Sequence, residues 1–219
     1  MNKAIKNLIR RVVLRIDWVL FLGRINIVYR LWGLEGITRI FLSCNPKIIS
    51  WLLRRYGAKI GRQNDFNSPL LLHNFSSDYS NLIISDRCHL GKDVFLDLYD
   101  KIIIEDKVTI SMRTTILTHE DLGQSPLKKT IFPTQHSPVV IKKGAYIGAG
   151  TIILQGVSIG KLSVVGAGAV VTKNVPDFSL AIGVPAKIVR SLIPANEQAP
   201  SELDGQKGRP PGNSRRSSQ

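Results

Sequence analysis

His119 is the residue of this 219-residue chain that is best placed to move a proton. An imidazole is the side chain that most readily takes up and releases a proton near neutral pH. His119 lies in the segment ILTHED, where a six-residue periodicity stops and a polar, proline-containing stretch, Glu120–Val139, begins. A general base on a rigid element, beside a loop that can cover substrate, suits proton abstraction. The other histidines, His73, His89 and His136, stand singly and are predicted to be structural or solvated.

The histidines and cysteines do not have the spacing of a metal site. No histidines cluster in the sequence as zinc ligands do, and Cys44 and Cys88 form neither a ligand pair nor a disulfide framework. Cys88 falls on an inward repeat position, which predicts a buried thiol and not a nucleophile. We therefore expect no metal cofactor and a reducing compartment.

The element that must position His119 is a six-residue repeat. From Val140 to Val175 an aliphatic residue returns every six positions, which neither a helix nor a simple alternating strand requires. A hexapeptide period predicts a β-solenoid, in which each short strand and turn forms one side of a coil. Gly148, Gly160 and Gly166 directly follow aliphatic residues, where a tight turn favours the absence of a Cβ atom. The repeated aliphatic positions are Ile141, Ile147, Ile153, Ile159, Val165 and Val171.

The same period starts earlier in the chain, with two interruptions. Asp78 breaks the first run, and the phase slips by two residues at Leu98–Ile102, where we predict a bulge or a small outward loop. The stretch Glu120–Val139 is off-register and is expected to be a loop that stands out from the solenoid. The earlier repeat positions are Ile60, Phe66 and Leu72, then Ile84, Leu90 and Leu96, then Ile104, Ile110 and Ile116.

The segments around the solenoid predict three parts: an N-terminal helical segment (1–57), a β-helix domain (58–193) with the loop 120–139, and a disordered tail (194–219). Apolar residues at helical spacing predict an amphipathic helix from Lys3 to about Leu22. Residues 25–44 give no clear pattern. Asn45 and Pro46 predict the start of a second helix, and Gly57 its end, and this helix could cap the solenoid.

The positive charge is concentrated at the N-terminus. The formal net charge is +14, and residues 1–55 carry eleven Lys or Arg against Asp17 and Glu35. A basic excess confined to one amphipathic segment favours an anionic membrane surface over nucleic acid. The first helix is too interrupted by charge to span a bilayer and lacks the apolar core of a signal peptide. Residues 1–22 therefore either contact the inner face of a membrane peripherally or pack on the solenoid or a neighbouring subunit.

The repeat resembles the hexapeptide-repeat acyltransferases, the left-handed parallel β-helix family that includes sugar, maltose and galactoside O-acetyltransferases. The segments that carry the resemblance are VTISMRTTILTHED, AYIGAGTIILQGVSIGKLSVVGAGAVVTKNVP and AIGVPAKIVR, within roughly Ile60 to Arg190. The segment LIISDRCHLGKDVFLDL further resembles members that act in surface-polysaccharide assembly. The resemblance implies an all-β left-handed solenoid, acetyl-CoA as co-substrate and a homotrimer with sites between subunits.

The resemblance also implies roles for particular residues. His119 matches the catalytic histidine of the family, and Asp97 falls near a residue that binds the acceptor. Tyr146 stands where the family usually has tryptophan. Some members have serine at the position of Ala149 and arginine at the position of Lys187. Ala149 would therefore contact acetyl-CoA through its backbone, and Lys187 would act as a point charge. The positions that match acetyl-CoA contacts are Ala149, Ala167, Thr172 and Lys173, with Lys187 and Arg190 at the phosphates.

The resulting expectation is transfer of an acetyl group from acetyl-CoA to a sugar hydroxyl. His119 would act as the general base, and no acyl-enzyme would form. Glu120 and Asp121 are candidates to orient the imidazole. Serine O-acetylation, amino-sugar N-acetylation and a catalytically silent scaffold at the membrane are the alternatives. Because acetyl-CoA and a reducing compartment are implied, we expect a cytoplasmic protein.

Overall fold

The computed structural model describes residues 3–193, with side chains from residue 20 onward. Its centre is a left-handed parallel β-helix, which confirms the predicted fold class. The predicted tail, 194–219, lies outside the described residues, as do the side chains of most of the first amphipathic stretch.

Three helices and nineteen strands make up the described part of the chain. The helices are α1 (Lys3–Ile40), α2 (Pro46–Arg55) and α3 (Leu127–Thr130). In chain order the strands are β1 (Lys59–Ile60), β2 (Asp65–Phe66), β3 (Leu70–His73), β4 (Leu82–Ile84), β5 (His89–Leu90), β6 (Val94–Asp97), β7 (Ile102–Ile104), β8 (Thr109–Ile110), β9 (Thr115–Ile116), β10 (His119–Glu120), β11 (Gln135–His136), β12 (Val139–Ile141), β13 (Tyr146–Ile147), β14 (Ile152–Ile153), β15 (Ser158–Ile159), β16 (Val164–Val165), β17 (Val170–Val171), β18 (Ser179–Ile182) and β19 (Lys187–Ser191).

The strands form the three faces of a prism. Sheet A contains β1, β4, β7, β12 and β15, sheet B contains β2, β5, β8, β13, β16 and β18 with β19 added antiparallel at its end, and sheet C contains β3, β6, β9, β14 and β17. The chain visits A, B and C in turn, so each coil crosses three corners. The B–C corner is formed by the turns that follow the sheet B strands, and the C–A corner by the turns that follow the sheet C strands.

The six-residue period sets the core because each hexapeptide supplies one strand residue that points inward. Ile141 pairs in register with Ile104 in one neighbouring coil and with Ile159 in the other, and all three are fully buried. Each preceding residue points outward, as the alternation of a strand requires. Burial of each aliphatic side chain contributes about 1.5–3 kcal/mol, so the stacked columns stabilise the coils collectively.

The glycines that follow the inward residues have a different role from the predicted one. A Cβ atom on Gly148 would lie 2.4 Å from the backbone nitrogen of Ala167, and one on Gly160 would lie 2.3 Å from that of Asp177. Neither glycine has a positive φ, so close approach of the next coil is what requires them. The left-handed turn glycines of the repeat are Gly144, Gly150, Gly156 and Gly168.

Helix α2 covers the first coil, as the sequence predicts. Asn45 accepts a hydrogen bond from the backbone of Lys47 as the N-cap, and Pro46 occupies the first helical position. The buried face consists of Ile49, Leu52 and Leu53, and the helix contacts β1 and β2.

Helix α1 continues through the stretch that the sequence left undecided. Gly33, with φ 57° and ψ −148°, breaks it, and the part beyond Gly33 packs on the core through Leu34 and Ile37, with Phe41 buried just after the helix ends. The stretch is difficult to predict because its other face is also apolar: Leu20, Ile27 and Leu31 are exposed. Among the helices of residues 3–193, none has an uncharged apolar stretch long enough to cross a bilayer.

Candidate active site

His119 lies at the C–A corner, in the third coil. It follows β9 and opens β10, which leaves the solenoid and pairs antiparallel with β11, and His119 is directly opposite His136. The side chain of His119 is 20% exposed, so part of it reaches the surface. The rigid coil below and the paired strand above fix the position of the imidazole.

Asp97 lies beneath His119 because β6 ends at the same corner one coil earlier. Oδ2 of Asp97 is 2.6 Å from Nδ1 of His119, and the backbone nitrogens of Thr118 and His119 donate to the same oxygen at 2.8 and 3.1 Å. Nδ2 of Asn74 donates to Oδ1 at 2.8 Å, and the backbone nitrogen of Tyr99 does so at 3.3 Å. The carboxylate is therefore saturated with donors.

This environment corrects the sequence-based role of Asp97. Its side chain is 0% exposed, so it does not reach an acceptor, and it holds the imidazole instead. Burial raises the pKa of Asp97, but hydrogen bonds from His119, Asn74 and Thr118 outweigh burial and leave the pKa below its usual value. The carboxylate is thus ionised and accepts only, which makes Nδ1 of His119 the donor and leaves Nε2 as the nitrogen that can face a substrate.

Glu120 and Asp121 do not orient the imidazole. Asp121 pairs with Lys128 at 2.8 Å and caps the backbone nitrogen of Gly123 within the loop. Glu120 is exposed on β10. The orienting group is separated from His119 by one complete coil, so adjacency in the sequence did not reveal it.

A second imidazole–carboxylate pair lies beside the first, and the sequence analysis missed it. The ring of Tyr99 stacks on that of His119, with centroids 4.6 Å apart and planes 9° apart, and its centroid is 5.4 Å from that of His136. Nδ1 of His136 lies 2.7 Å from Oδ2 of Asp100. Tyr99 and Asp100 belong to the two-residue phase slip, and this slip was the feature of the sequence that could have indicated the second pair.

The residues that match acetyl-CoA contacts occupy separate parts of the prism. Thr172 and Lys173 follow β17 at the C–A corner, on the same edge as His119. Ala149 follows β13 and Ala167 follows β16, so both are at the B–C corner. Lys187 and Arg190 are exposed on β19, which pairs antiparallel with β18 at the last coil. One copy of the chain does not bring these groups together.

A groove of about 430 Å³ runs along the B–C corner next to Ala149. Lys92 and His89 line it, and Oγ of Ser111 donates to the hydroxyl of Tyr146 at 3.1 Å beside it. A ring thus remains available at the position of Tyr146. Among residues 20–193, no group of three or more His, Cys, Asp or Glu side chains could hold a metal ion.

The region 138–173 matches the family described as bacterial transferase hexapeptide (six repeats). The chain belongs to the hexapeptide-repeat transferases. The matched region of this hexapeptide-repeat transferase comprises the fourth and fifth coils and ends before Asn174, so it contains Ala149, Ala167, Thr172 and Lys173 but not His119.

Individual relatives match more of this hexapeptide-repeat transferase. It is 38% identical over 125 residues to serine acetyltransferase of Buchnera aphidicola, covering 57% of this chain and 44% of that protein. It is 32% identical over 147 residues to galactoside O-acetyltransferase of Lactococcus lactis, covering 64% of this chain and 66% of that protein. The chain therefore spans less than half of the first relative and about two thirds of the second.

A solved structure of similar shape carries acetyl-CoA. The hexapeptide-repeat-containing acetyltransferase of Vibrio cholerae, complexed with acetyl-CoA, superimposes with a TM-score of 0.60 at 28% identity. The match covers 72% of this chain and 84% of that structure. The sequence-based prediction of the family is confirmed.

Proposed function

We propose that this protein transfers an acetyl group from acetyl-CoA to a hydroxyl group of a sugar. The observation that carries the proposal is the 2.6 Å contact between Nδ1 of His119 and the buried carboxylate of Asp97, which leaves Nε2 of His119 free to accept a proton. The names of the Lactococcus and Vibrio relatives, a galactoside O-acetyltransferase and an acetyltransferase complexed with acetyl-CoA, support it.

His119 acts as general base. A sugar hydroxyl has a pKa far above neutrality, so its proton must leave as its oxygen attacks. Nε2 of His119 takes that proton while the oxygen forms a bond to the thioester carbonyl carbon, and the negative charge of Asp97 stabilises the resulting imidazolium. The carbon–sulfur bond then breaks, and Nε2 returns the proton to the departing thiolate. Backbone N–H groups of the groove stabilise the oxyanion.

The complete site requires more than one copy of the chain. Thr172 and Lys173 share the C–A corner with His119, whereas Ala149 and Ala167 lie at the B–C corner, a whole sheet away. In a homotrimer the C–A corner of one copy lies against the B–C corner of the next, which forms three equivalent acetyl-CoA grooves. Lys187 and Arg190 then hold the phosphates.

A surface-polysaccharide precursor at the cytoplasmic face of the membrane is the acceptor that best fits the N-terminal segment. Residues 1–55 carry eleven Lys or Arg against two acidic residues. The exposed apolar side chains Leu20, Ile27 and Leu31 lie along one face of α1, with Arg24 among them. A basic helix with an apolar face can lie in the plane of an anionic membrane. The transferase would thereby meet acceptors that are attached to lipid.

The test is release of CoA thiol when the purified full chain is mixed with acetyl-CoA and a panel of sugars, amino sugars and L-serine. Acetylation of a sugar oxygen, identified by mass spectrometry and NMR, supports the proposal. A preference for L-serine or for the amino group of an amino sugar would show that the acceptor is of that class and not a sugar hydroxyl. Absence of transfer across the panel would favour a scaffold, and full activity in a correctly assembled His119→Ala variant would exclude His119 as base.

A further inference from the structure

We propose that Tyr99 and His136 form an acceptor subsite that binds a neutral sugar through a hydroxyl adjacent to the one that is acetylated. This inference rests on the proposed function and names the substrate class of the same site. It also replaces the acceptor-binding role that Asp97 cannot perform, since the carboxylate of Asp97 is fully buried.

The phase slip carries Tyr99 and Asp100 out of the solenoid wall. Strands β6 and β9 stay in register, with Leu96 opposite Ile116, so the extra residues protrude at the C–A corner. The ring of Tyr99 lies against His119, is 45% exposed, and has a hydroxyl with no hydrogen-bond partner among residues 20–193. A phenol at the mouth of the site, beside the base, can donate to or accept from a substrate hydroxyl.

His136 has the same arrangement as His119 but lies nearer the surface. Its Nδ1 is held by Asp100 at 2.7 Å, and its side chain is 56% exposed, against 20% for His119. With Nδ1 bound to a carboxylate, Nε2 is the nitrogen that remains for substrate. The backbone nitrogen of Asp100 donates to Oγ1 of Thr118 at 2.9 Å, and that hydroxyl donates to the carbonyl oxygen of Asp97 at 2.8 Å. Both pairs therefore belong to one hydrogen-bonded network.

The charges of this corner select a neutral polyol over an anionic acceptor. Asp97 and Asp100 are both acidic, and hydrogen bonds from His136 and the backbone of Lys101 outweigh partial burial to leave the pKa of Asp100 below its usual value. Asp97 is fully buried, but the carboxylate of Asp100 is partly exposed, so a carboxylate on the acceptor would lie near this negative charge, which is unfavourable. A sugar instead presents uncharged hydroxyl groups on neighbouring carbons. One would face Nε2 of His119 and react, while the next would bind Nε2 of His136 and the hydroxyl of Tyr99.

The first test is binding, measured without acetyl-CoA. Histidine side-chain NMR signals of the full chain are followed while the methyl glycosides of glucose, galactose, mannose and N-acetylglucosamine are added, with L-serine as the charged comparison. We expect saturable shifts of the His136 and His119 signals with at least one glycoside and about tenfold weaker binding in His136→Ala, the loss of one hydrogen bond. The Gln135→Ala variant, which changes an exposed neighbour on β11, should bind as the wild type does.

The second test separates acceptor binding from proton abstraction. With the binding glycoside as acceptor, His136→Ala and Tyr99→Phe should raise the KM for the glycoside several-fold to about tenfold and lower kcat by a smaller factor, whereas Gln135→Ala should change neither constant. Shifts at His136 caused by L-serine but by no glycoside would overturn the proposal, and so would wild-type glycoside affinity in His136→Ala. If glycosides bind at His136 but no acetyl transfer follows, the subsite stands and the proposed reaction fails.

Discussion

Replacement of Asp97 by asparagine tests whether the buried charge, and not only the shape, of this side chain supports catalysis. All the hydrogen-bond partners of the carboxylate are donors. The new amide nitrogen can take the place of Oδ1, since the amide of Asn74 can rotate to present its oxygen, and the long 3.3 Å hydrogen bond from the backbone nitrogen of Tyr99 is lost. The new amide oxygen then keeps the contacts of Oδ2 with Thr118 and His119. Asp97→Asn therefore preserves the position of the imidazole and removes the negative charge.

The expected loss follows from the charge that His119 acquires. Two unit charges about 4 Å apart interact by about 4 kcal/mol at an effective dielectric constant of about 20, a value suited to a site that is largely shielded from water. Because the imidazolium is only partly formed in the transition state, the lost stabilisation is between about 2 kcal/mol and about 4 kcal/mol. At about 1.36 kcal/mol per factor of ten, kcat should fall by about 30-fold to about 900-fold.

The assay is CoA thiol release at saturating acetyl-CoA, with the sugar acceptor from the panel or with water. Asp121→Asn is the matched control, because Asp121 is also near the base of the loop but pairs with Lys128. Both variants should keep the wild-type assembly and thermal midpoint within a few degrees. The reasoning fails if a correctly assembled Asp97→Asn variant retains more than half of the wild-type kcat, or if Asp121→Asn loses as much activity as Asp97→Asn.

Three further predictions concern stability and association. The pKa of Asp97 is lower in the folded than in the unfolded chain, so the ionised carboxylate stabilises the fold above pH about 4, and this stabilisation is lost as the pH falls through the folded pKa. In urea titrations, the difference in free energy of unfolding between wild type and Asp97→Asn should shrink over that pH range. Gly160→Ala should lower the free energy of unfolding by about 3 kcal/mol, because the new Cβ would lie 2.3 Å from the backbone of the next coil. Gly150→Ala has open space around the new Cβ but a φ of +68°, and it should lower the free energy of unfolding by about 1 kcal/mol. Equal effects of the two variants in denaturant titrations would contradict this. Leu31→Glu should reduce flotation of the protein with liposomes rich in phosphatidylglycerol, whereas Leu162→Glu, at an exposed position on the solenoid, should not. Unchanged flotation of the Leu31→Glu variant would rule out a membrane contact through this face of α1.

The periodicity made the solenoid predictable because one residue type per hexapeptide is sufficient to define a coil. Ile141 points inward and must be aliphatic whichever inward residue, here Ile159, pairs with it in the next coil. The sequence signal is therefore local, and it repeats in every hexapeptide. The position of His119 at the end of the third coil was also predictable, because His119 stands where that signal stops. In α1, by contrast, Ile27 is exposed and Ile25 is buried, so hydrophobicity alone could not show which face of the helix packs.

The partners of His119 were less predictable because they depend on how coils stack. Asp97 is 22 residues away from His119 in the sequence, and its depth depends on how the phase slip is accommodated. His136 faces His119 only because β10 and β11 pair across an irregular loop, which has no repeat. The sequence contained both residues, but their contacts are set by the register of the coils and of the loop.

The phase slip changes the site without changing the core. The strands on both sides of it remain in register, as the pairs Ile84 with Ile104 and Leu96 with Ile116 show, although two residues were added between them. A corner of this solenoid can therefore vary in length independently of the faces that it joins. Exchange of the short segment 99–101 between members of the family is, for that reason, a practical route to altered acceptor choice. It would replace the side chains around a fixed base while the buried Leu98 and the rest of the core are left as they are.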